Sequence, residues 1–319
     1  MLWPASLAFR AAVLARRLAY RLRLLDRARV GVPVVVVGNL VAGGSGKTPL
    51  VLWLAEFLKA NGWAPGLVSR GYGGSARAPL EASIASEAAE VGDEPVVLAR
   101  RSGCPVWVGA ERAATARALR ARHPEVNVLV LDDGLQHYAL ARDLEIAVVD
   151  ARGFGNGFML PAGPLREPPS RLRSVDAVVA HGIDREALQR RAGRRPVFAM
   201  TLEGDQLHCL ADARERRAAS AFAGQRVHAV AGIGNPNRFF LHLARLGLKV
   251  VPHPFPDHHA FRAEELEFGD GLPVVMTEKD AVKCRRFAQP RHWVLPVRAA
   301  LDPEFGDWLS KRLRGPKAA

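Results

Sequence analysis

Residues 34–37 are four consecutive valines, and an uninterrupted β-branched run of this kind is the pattern of a strand buried on both faces. A glycine-rich stretch follows. From Thr48 to Ala60 apolar residues then recur at helical spacing and stop at Asn61-Gly62. The alternation continues, and it predicts strands over 66–69, 105–109, 126–131, 144–150 and 175–180 with helices over 94–101 and 110–122. Strands alternating with helices build a mostly parallel, doubly wound α/β sheet. Beyond residue 197 the rhythm changes. Residues 197–210 read as two short strands about Gly204-Asp205, a β-hairpin. A new α/β series begins at Val227, with strands over 227–231, 248–251, 272–277 and 292–297 and helices over 237–246, 260–268, 280–287 and 303–313. These runs divide the chain into a larger domain over 30–200 and a smaller α/β domain over 201–319, joined through the hairpin. Residues 315–319 are expected to fray.

Residues 1–29 form a segment of their own, with seven arginines and a single acid, Asp26. Leu7, Leu14, Leu18, Leu22 and Leu25 make one helical stripe, with Arg16, Arg23 and Arg27 opposite it and Arg10, Arg17 and Arg21 on its flanks. The arginines run through the segment and no apolar block precedes a small-residue cleavage site, so it is not a secretory signal. Two readings stand: the leucines pack on the domain, or the helix lies on an anionic leaflet.

A length of 319 residues suits two domains or one large α/β unit, and hydrophobic and charged fractions of 49% and 24% exclude a disordered or fibrous chain. The longest charge-free run, 30–46, carries Pro33 and five glycines, so it is no spanning helix. A net charge of +13 points to an anionic partner: nucleic acid, an acidic membrane surface or a phosphorylated substrate. Cys104, Cys209 and Cys284 are scattered and odd in number, which fits a reducing compartment and neither a disulfide framework nor a zinc site.

Gly43-Gly44-Ser45-Gly46-Lys47-Thr48 lies between the valine strand and the following helix. In that context glycines turn backbone N–H groups toward phosphate oxygens, the helix N-terminus adds partial positive charge, Lys47 reaches the β/γ-phosphates and the Thr48 hydroxyl can ligate Mg²⁺. The loop departs from G-x-x-x-x-G-K-[ST] only at its first position, which is Val41. No Asn-Lys-x-Asp follows a later strand, Thr277-Glu278-Lys279-Asp280 being the nearest string, so ATP is expected over GTP.

Several polar groups fall after strands, and a doubly wound sheet brings such loops to one carboxyl edge. Asp132-Asp133 are paired carboxylates beside Gly134 and His137, costly without a cation. Asp150 either touches nucleotide or caps its turn. Asp93, in Gly92-Asp93-Glu94-Pro95, is either a helix cap or the carboxylate that takes an acceptor hydroxyl's proton. Arg70 and Tyr72 follow another strand, and the long loop 150–168 holds Arg166-Glu167, a phosphate contact and a possible metal ligand. In Pro256-Asp257-His258-His259 the histidines lack further ligands at metal spacing, which favours a cleft-facing His tuned by a carboxylate. Arg238 and Lys279 could contact acceptor or nucleotide.

Taken in order, Gly-Asn-Leu-x-x-Gly-Gly-Ser-Gly-Lys-Thr-Pro (38–49), Ser-Arg-Gly-Tyr-Gly (69–73), Gly-Asp-Glu-Pro (92–95), Asp-Asp-Gly-Leu-Gln-His (132–137), Gly-Phe-Gly-Asn-Gly (153–157) and Leu-Pro-Ala-Gly-Pro-Leu-Arg-Glu-Pro (160–168) resemble the tetraacyldisaccharide 4'-kinases, the lipid A 4'-kinases. Asp-His-His at 257–259 and Thr-Glu-Lys-Asp at 277–280 extend the resemblance, and that family's loop also lacks the first glycine. The resemblance implies a P-loop kinase at the cytoplasmic face of the inner membrane, transferring the γ-phosphoryl of ATP, with Mg²⁺, to the 4'-hydroxyl of a lipid A disaccharide 1-phosphate. It implies Asp93 as general base with His258 as its partner, and Gly43, Gly44, Ser45, Gly46, Lys47 and Thr48 on the nucleotide. It places Thr48, Asp132, Asp133 and Glu167 on the metal, and Arg70, Tyr72, His137 and Arg166 on the substrate. The smaller domain would close over the cleft. A soluble small-molecule kinase shares the nucleotide features. A nucleotide-gated switch or metal-delivery NTPase would need a guanine motif or clustered Cys/His ligands, and neither is found. No RRM, helix-turn-helix or zinc signature supports nucleic acid as partner, and no protein partner is inferred.

Overall fold

Every strand expected in the first half becomes part of one large sheet. In a computed structural model, which describes residues 2–313, helix α1 (Trp3–Arg21) leads to β1 (Val34–Asn39), α2 (Lys47–Ala60), β2 (Pro65–Ser69), β3 (Leu80–Ala82) and α3 (Ala88–Val91). There follow α4 (Asp93–Ser102), β4 (Val106–Val108), α5 (Arg112–Arg122), β5 (Val128–Leu131), β6 (Leu144–Asp150), β7 (Ala177–His181), α6 (Arg185–Ala192) and β8 (Val197–Glu203). Next come β9 (Gln206–Cys209), β10 (Arg216–Ala218), β11 (Arg226–Ala231), α7 (Pro236–Arg245), β12 (Lys249–Pro254), β13 (Val274–Thr277), α8 (Glu278–Cys284) and β14 (His292–Leu295). The described chain ends in β15 (Arg298–Leu301) and α9 (Pro303–Leu313). The expectation for 315–319 lies outside the described residues.

The first sheet has nine strands in the order β15-β8-β7-β6-β1-β5-β2-β4-β3. β1 sits at its centre, parallel to β5 and β6, with its valines wholly buried between two cores. One core holds α2, α4 and α9 against the sheet, and the other holds α5 and α6 on the opposite face. Because β1, β2, β5, β6 and β7 all run parallel, their carboxyl ends share one edge.

The expected hairpin at 197–210 is not formed. β8 pairs with β7 and β15 in the first sheet, whereas β9 pairs with β10 and β14 in a second, six-stranded sheet of order β10-β9-β14-β13-β11-β12. Gly204-Asp205 is therefore the crossing between sheets, and Gly204 is pressed against the backbone of Pro296 in the link from β14 to β15. The chain comes back through β15 and α9, so the smaller unit spans β9 to β14 and does not extend over 201–319. Burial explains the return, since Phe305, Leu309 and Leu313 of α9 complete the α2 core. The helix expected over 260–268 shrinks to a single 3-10 turn, Ala263–Leu266, because Phe255, His259 and Phe261 cluster ring on ring and the Glu265 carboxylate takes the Arg262 N–H.

Helix α1 docks by a face other than its leucines. Ser6 donates to the Met159 carbonyl at 2.7 Å, Phe9 and Val13 pack on the second core, and the Tyr20 ring lies 5.9 Å from Tyr138. Leu7, Leu14 and Leu18 stay exposed, as do Leu22 and Leu25 beyond the helix end. The packing of these leucines on the domain is thus excluded. No helix among the described residues is long and apolar enough to cross a membrane.

Phe305 is fully buried, with ring centroids 5.1 Å from Phe198 and 5.3 Å from Trp53. Phe305→Ala should therefore destabilise the first unit by about 3–5 kcal/mol. Urea unfolding followed by intrinsic fluorescence should show an earlier transition, and an unchanged midpoint would mean that the C-terminal helix is an appendage.

Candidate active site

The turn after β1 is built for anions. Gly43 and Gly46 have φ of +93° and +87°, and a side chain at Gly46 would meet the His181 ring. Helix α2 starts directly at Lys47 with no side-chain cap, which leaves its first N–H groups free to face a ligand. The loop is braced from behind. Asn39 donates to the Gly43 carbonyl at 3.1 Å, and Arg152, paired with buried Asp150, donates to the Gly44 carbonyl at 2.6 Å. Asp150 therefore holds the loop through Arg152. Val41 also has its reason: it forms an antiparallel bridge with Leu165, while Ala42 N–H donates to Pro164 and Arg166 N–H to Leu40. The 150–168 loop is zipped onto the phosphate loop in this way, and the bridge takes the position of the usual glycine.

That zipper carries Arg166 to Asp133, which it grips with both carboxylate oxygens at 3.0 and 2.8 Å. Lys47 Nζ is 3.5 Å from the same carboxylate. Burial alone would raise the Asp133 carboxyl, but Lys47 and Arg166 reverse this and hold it down at about 2. Asp132 is the opposite case. It is 1% exposed, neither oxygen has a hydrogen-bond partner among the described residues, and burial with the nearby Glu94 charge pushes it up to about 7. An orphaned, buried carboxylate beside an anion-binding turn fits a hard cation such as Mg²⁺, with the Thr48 hydroxyl as its partner.

Glu167 does not join them. Its oxygens are taken by the Tyr138 hydroxyl and by Arg171 at 3.2 Å, within a buried network that runs on to Glu145 and Arg142. Of the residues expected on the metal, Asp132 is the one whose oxygens are unpartnered among the described residues, whereas Glu167 is engaged at the start of the 169–173 turn.

Asp93 opens α4 after Gly92, whose φ of +90° and close approach to the Tyr72 carbonyl exclude a side chain. Asp93 accepts the Glu94 N–H at 2.9 Å, yet its main partner comes from the other sheet. His258 Nδ1 lies 3.0 and 3.1 Å from its two oxygens. Burial would raise the Asp93 carboxyl, but the His258 hydrogen bond and the Lys279 and Lys283 charges hold it below the ordinary range. Among the described residues only three non-glycine positions have positive φ, and two of them are His258 at +64° and Asp133 at +52°. The exposed Tyr72 ring packs 4.8 Å from the His258 ring. Asp93, His258 and Tyr72 line a cavity of about 540 Å³.

Arg70 is exposed at the end of β2. His137 is kept neutral, down at about 4, by burial and by Arg112, Arg70 and Arg142. Arg238 meets His181 beside the phosphate loop. Arg112 is the residue that spacing did not reveal. It is buried, donates to the Gly109 carbonyl, leaves Nε and Nη2 without partners among the described residues, and faces Asp132 and Asp133. An arginine opening a helix, where the dipole disfavours a cation, was the available signal.

Comparison with known proteins identifies the family. The family profile described as Tetraacyldisaccharide-1-P 4'-kinase matches residues 1–314. The chain belongs to that family. It is an ATP-dependent kinase of lipid A biosynthesis. A tetraacyldisaccharide 4'-kinase of Azoarcus sp. (strain BH72) is 54% identical over 314 residues, 98% of this chain and 92% of the relative. One of Pseudomonas paraeruginosa is 47% identical over 317 residues, again 98% and 92% of the two chains. The crystal structure of LpxK from Aquifex aeolicus in complex with ATP aligns with a TM-score of 0.80 at 28% identity, covering 98% of each chain.

The Asp132 carboxyl sets a stability test. Its folded value of about 7 exceeds the ordinary 3.8, so between those values the folded state binds more protons and rising pH destabilises the metal-free fold. Asp132→Asn imitates the protonated form. It should raise the melting temperature at pH 8 by a few degrees, lose this gain below about pH 4 and abolish turnover. Calorimetry across that pH range checks it, and a variant less stable than wild type at pH 8 would overturn the assignment.

Proposed function

We propose that Asp93 is the general base that receives the proton of the acceptor's 4'-hydroxyl, the acceptor being a lipid A disaccharide 1-phosphate. The observation that carries this reading is the buried Asp93–His258 contact on the same sheet edge as the phosphate loop. A carboxylate suffices for the task, because phosphoryl transfer depends mainly on in-line positioning and charge neutralisation. The His258 Nδ1–H orients Asp93 and steadies the proton it takes up. Lys47 and the first N–H groups of α2 bind the nucleotide phosphates, with Lys47 following the transferred group once it leaves Asp133. Asp132 and Thr48 hold Mg²⁺, which supplies neutralisation of the phosphate oxygens. Arg166, Arg112, Arg70, His137 and Tyr72 line the acceptor side. The smaller unit, which contributes His258, closes over this cleft.

The protein works as a peripheral enzyme at the cytoplasmic face of the inner membrane. The support is the exposed face of α1, where Trp3, Leu7, Leu14 and Leu18 stand out beside Arg10 and Arg21 while the opposite side is docked. Leucines sink into the acyl boundary and arginines meet anionic headgroups, each contributing about 1 kcal/mol.

Two measurements test these assignments. Asp93→Asn keeps the oxygen that accepts the Glu94 N–H but cannot take a proton. Transfer of labelled phosphate from ATP to the disaccharide 1-phosphate should fall by about 10²-fold or more at unchanged melting temperature. Wild-type protein should show no comparable transfer to soluble sugars or nucleosides. Near-normal turnover of the folded variant would remove Asp93 from the reaction, and preferred labelling of a soluble acceptor would favour a small-molecule kinase. For the membrane, the triple change Leu7→Gln, Leu14→Gln, Leu18→Gln spares the docking face. It should cut co-sedimentation with anionic vesicles by about tenfold or more and leave the melting temperature in place. Unchanged vesicle binding would place the membrane contact elsewhere.

A further inference from the structure

Lys279 sits where the two sheets meet. Its ammonium lies 2.9 Å from Asp257 Oδ1, 3.2 Å from His258 Nε2, 3.3 Å from Glu94 Oε1 and 4.0 Å from Asp93 Oδ2. One cation thus touches carboxylates of both units and the edge of the imidazole turned away from Asp93. An ammonium carries three donors and no acceptor, so in that contact Nε2 has to be the acceptor. The ring's proton is then on Nδ1, where it is donated to Asp93.

We propose that Lys279 is a positioning residue that selects the Nδ1-protonated tautomer of His258 and resists its conversion to imidazolium, so that Asp93 enters the reaction as a free base beside an uncharged imidazole. The proposal rests on the reading of Asp93 as the base. The groups facing His258 set up a contest. Asp93 from α4 and the adjacent Asp257 favour imidazolium, with the Asp93 hydrogen bond the stronger influence, whereas Lys279 opposes it and Tyr72 covers the ring face. Lys283, one turn further along α8, places a second ammonium 3.8 Å from Asp93. The balance already leaves His258 above its ordinary value, and without Lys279 a histidine between two carboxylates would titrate higher still. A charged His258 would also point its Nε2–H at the site of Lys279, where the remaining acceptor, Asp257, is 3.7 Å away. Imidazolium beside Asp93 weakens the carboxylate as a base, so the lysine protects basicity at a site it does not itself occupy.

Lys279 is held firmly enough to act this way. Thr277 caps α8, Glu278 is gripped by Arg101 at 2.7 Å, and Asp280 accepts the Gly232 N–H at 3.0 Å. Its sequence neighbours on both sides are therefore fixed, and the ammonium approaches His258 from a rigid base.

The test combines a spectroscopic and a kinetic readout on the full chain. Lys279→Met removes the charge and keeps the length, and Lys279→Gln removes the charge but can still donate a hydrogen bond. In ring-carbon NMR of folded, nucleotide-free protein, with the His258 signal identified by its loss in His258→Gln, both variants should titrate His258 higher by about 1 pH unit or more. The acid limb of the kcat/KM profile should move to higher pH by the same amount, activity above that limb should stay within a few-fold of wild type, and Lys279→Arg should restore the original profile. A His258 titration unchanged in both variants, or a pH-independent loss of activity with a lower melting temperature, would reduce Lys279 to a structural tie. The NMR result stands apart from the base assignment, since Asp93→Asn alone decides whether Asp93 is the base.

Discussion

Five carboxylates, Asp93, Glu94, Asp132, Asp133 and Asp257, gather where the two sheets meet, Asp93 and Asp132 of them buried, and that concentration of negative charge is the constraint around which the molecule is arranged. Burying a carboxylate costs several kcal/mol unless a cation or a proton meets it. The first sheet supplies Lys47, Arg112 and Arg166 to Asp132 and Asp133, and the second supplies His258, Lys279 and Lys283 to Asp93 and Glu94. Asp132 is the one left without a full partner, and burial with the nearby Glu94 charge raises its carboxyl to about 7. Neither unit balances the cleft alone. The junction between them is therefore electrostatic before it is steric, with apolar packing of α4 on α8 filling in around the charges.

The Thr277–Asp280 string shows how closely that junction is specified. Four successive residues at the start of α8 do four different things: Thr277 caps the helix, Glu278 pairs with Arg101, Lys279 meets the base pair and Asp280 fixes the Gly232 turn. Gly234 in that turn comes close to the backbone of Gly44 in the phosphate loop. A shift of α8 would therefore be felt at Asp93 and His258 and at the phosphate loop together. This gives the smaller unit a physical route by which closure over a ligand can complete both halves of the site at once.

Local pattern carried most of the first sheet. The Val34–Val37 run, the strands ending at Ser69, Leu131 and Asp150, and helix α9 were legible because a strand buried on both faces or a helix with a continuous apolar stripe has few other ways to fold. The phosphate loop was legible for the same reason, since glycines, lysine and threonine between a strand and a helix have a single common use. What failed was partnership at a distance. Strands β8 and β9 are adjacent in sequence and look like a hairpin, but the partner of β8 is β15, almost one hundred residues away, and nothing local encodes that choice. Glu167 looked like a ligand because its motif lies near the site, yet Tyr138 and Arg171 claim it. Arg112 was passed over because a single arginine at a helix start carries no periodic signal.

The leucine stripe of α1 is the instructive middle case. Its apolar face was visible in sequence, but two destinations were open, since a stripe of leucines says only that something apolar covers it. The fold removes one of them: a second, smaller set of residues, Ser6, Phe9, Val13 and Tyr20, already does the docking. A helix that turns one face to its own domain and keeps its leucines outside is oriented, because the docked face fixes which way the exposed one points. Through Ser6 and the Met159 carbonyl the same helix is tied to the 150–168 loop, and through that loop to Arg166, Asp133 and Lys47. The surface that would meet a membrane and the groups that would meet the phosphates are therefore parts of one continuous piece of structure, so an acceptor held in a leaflet is presented to the cleft at a height the fold itself sets.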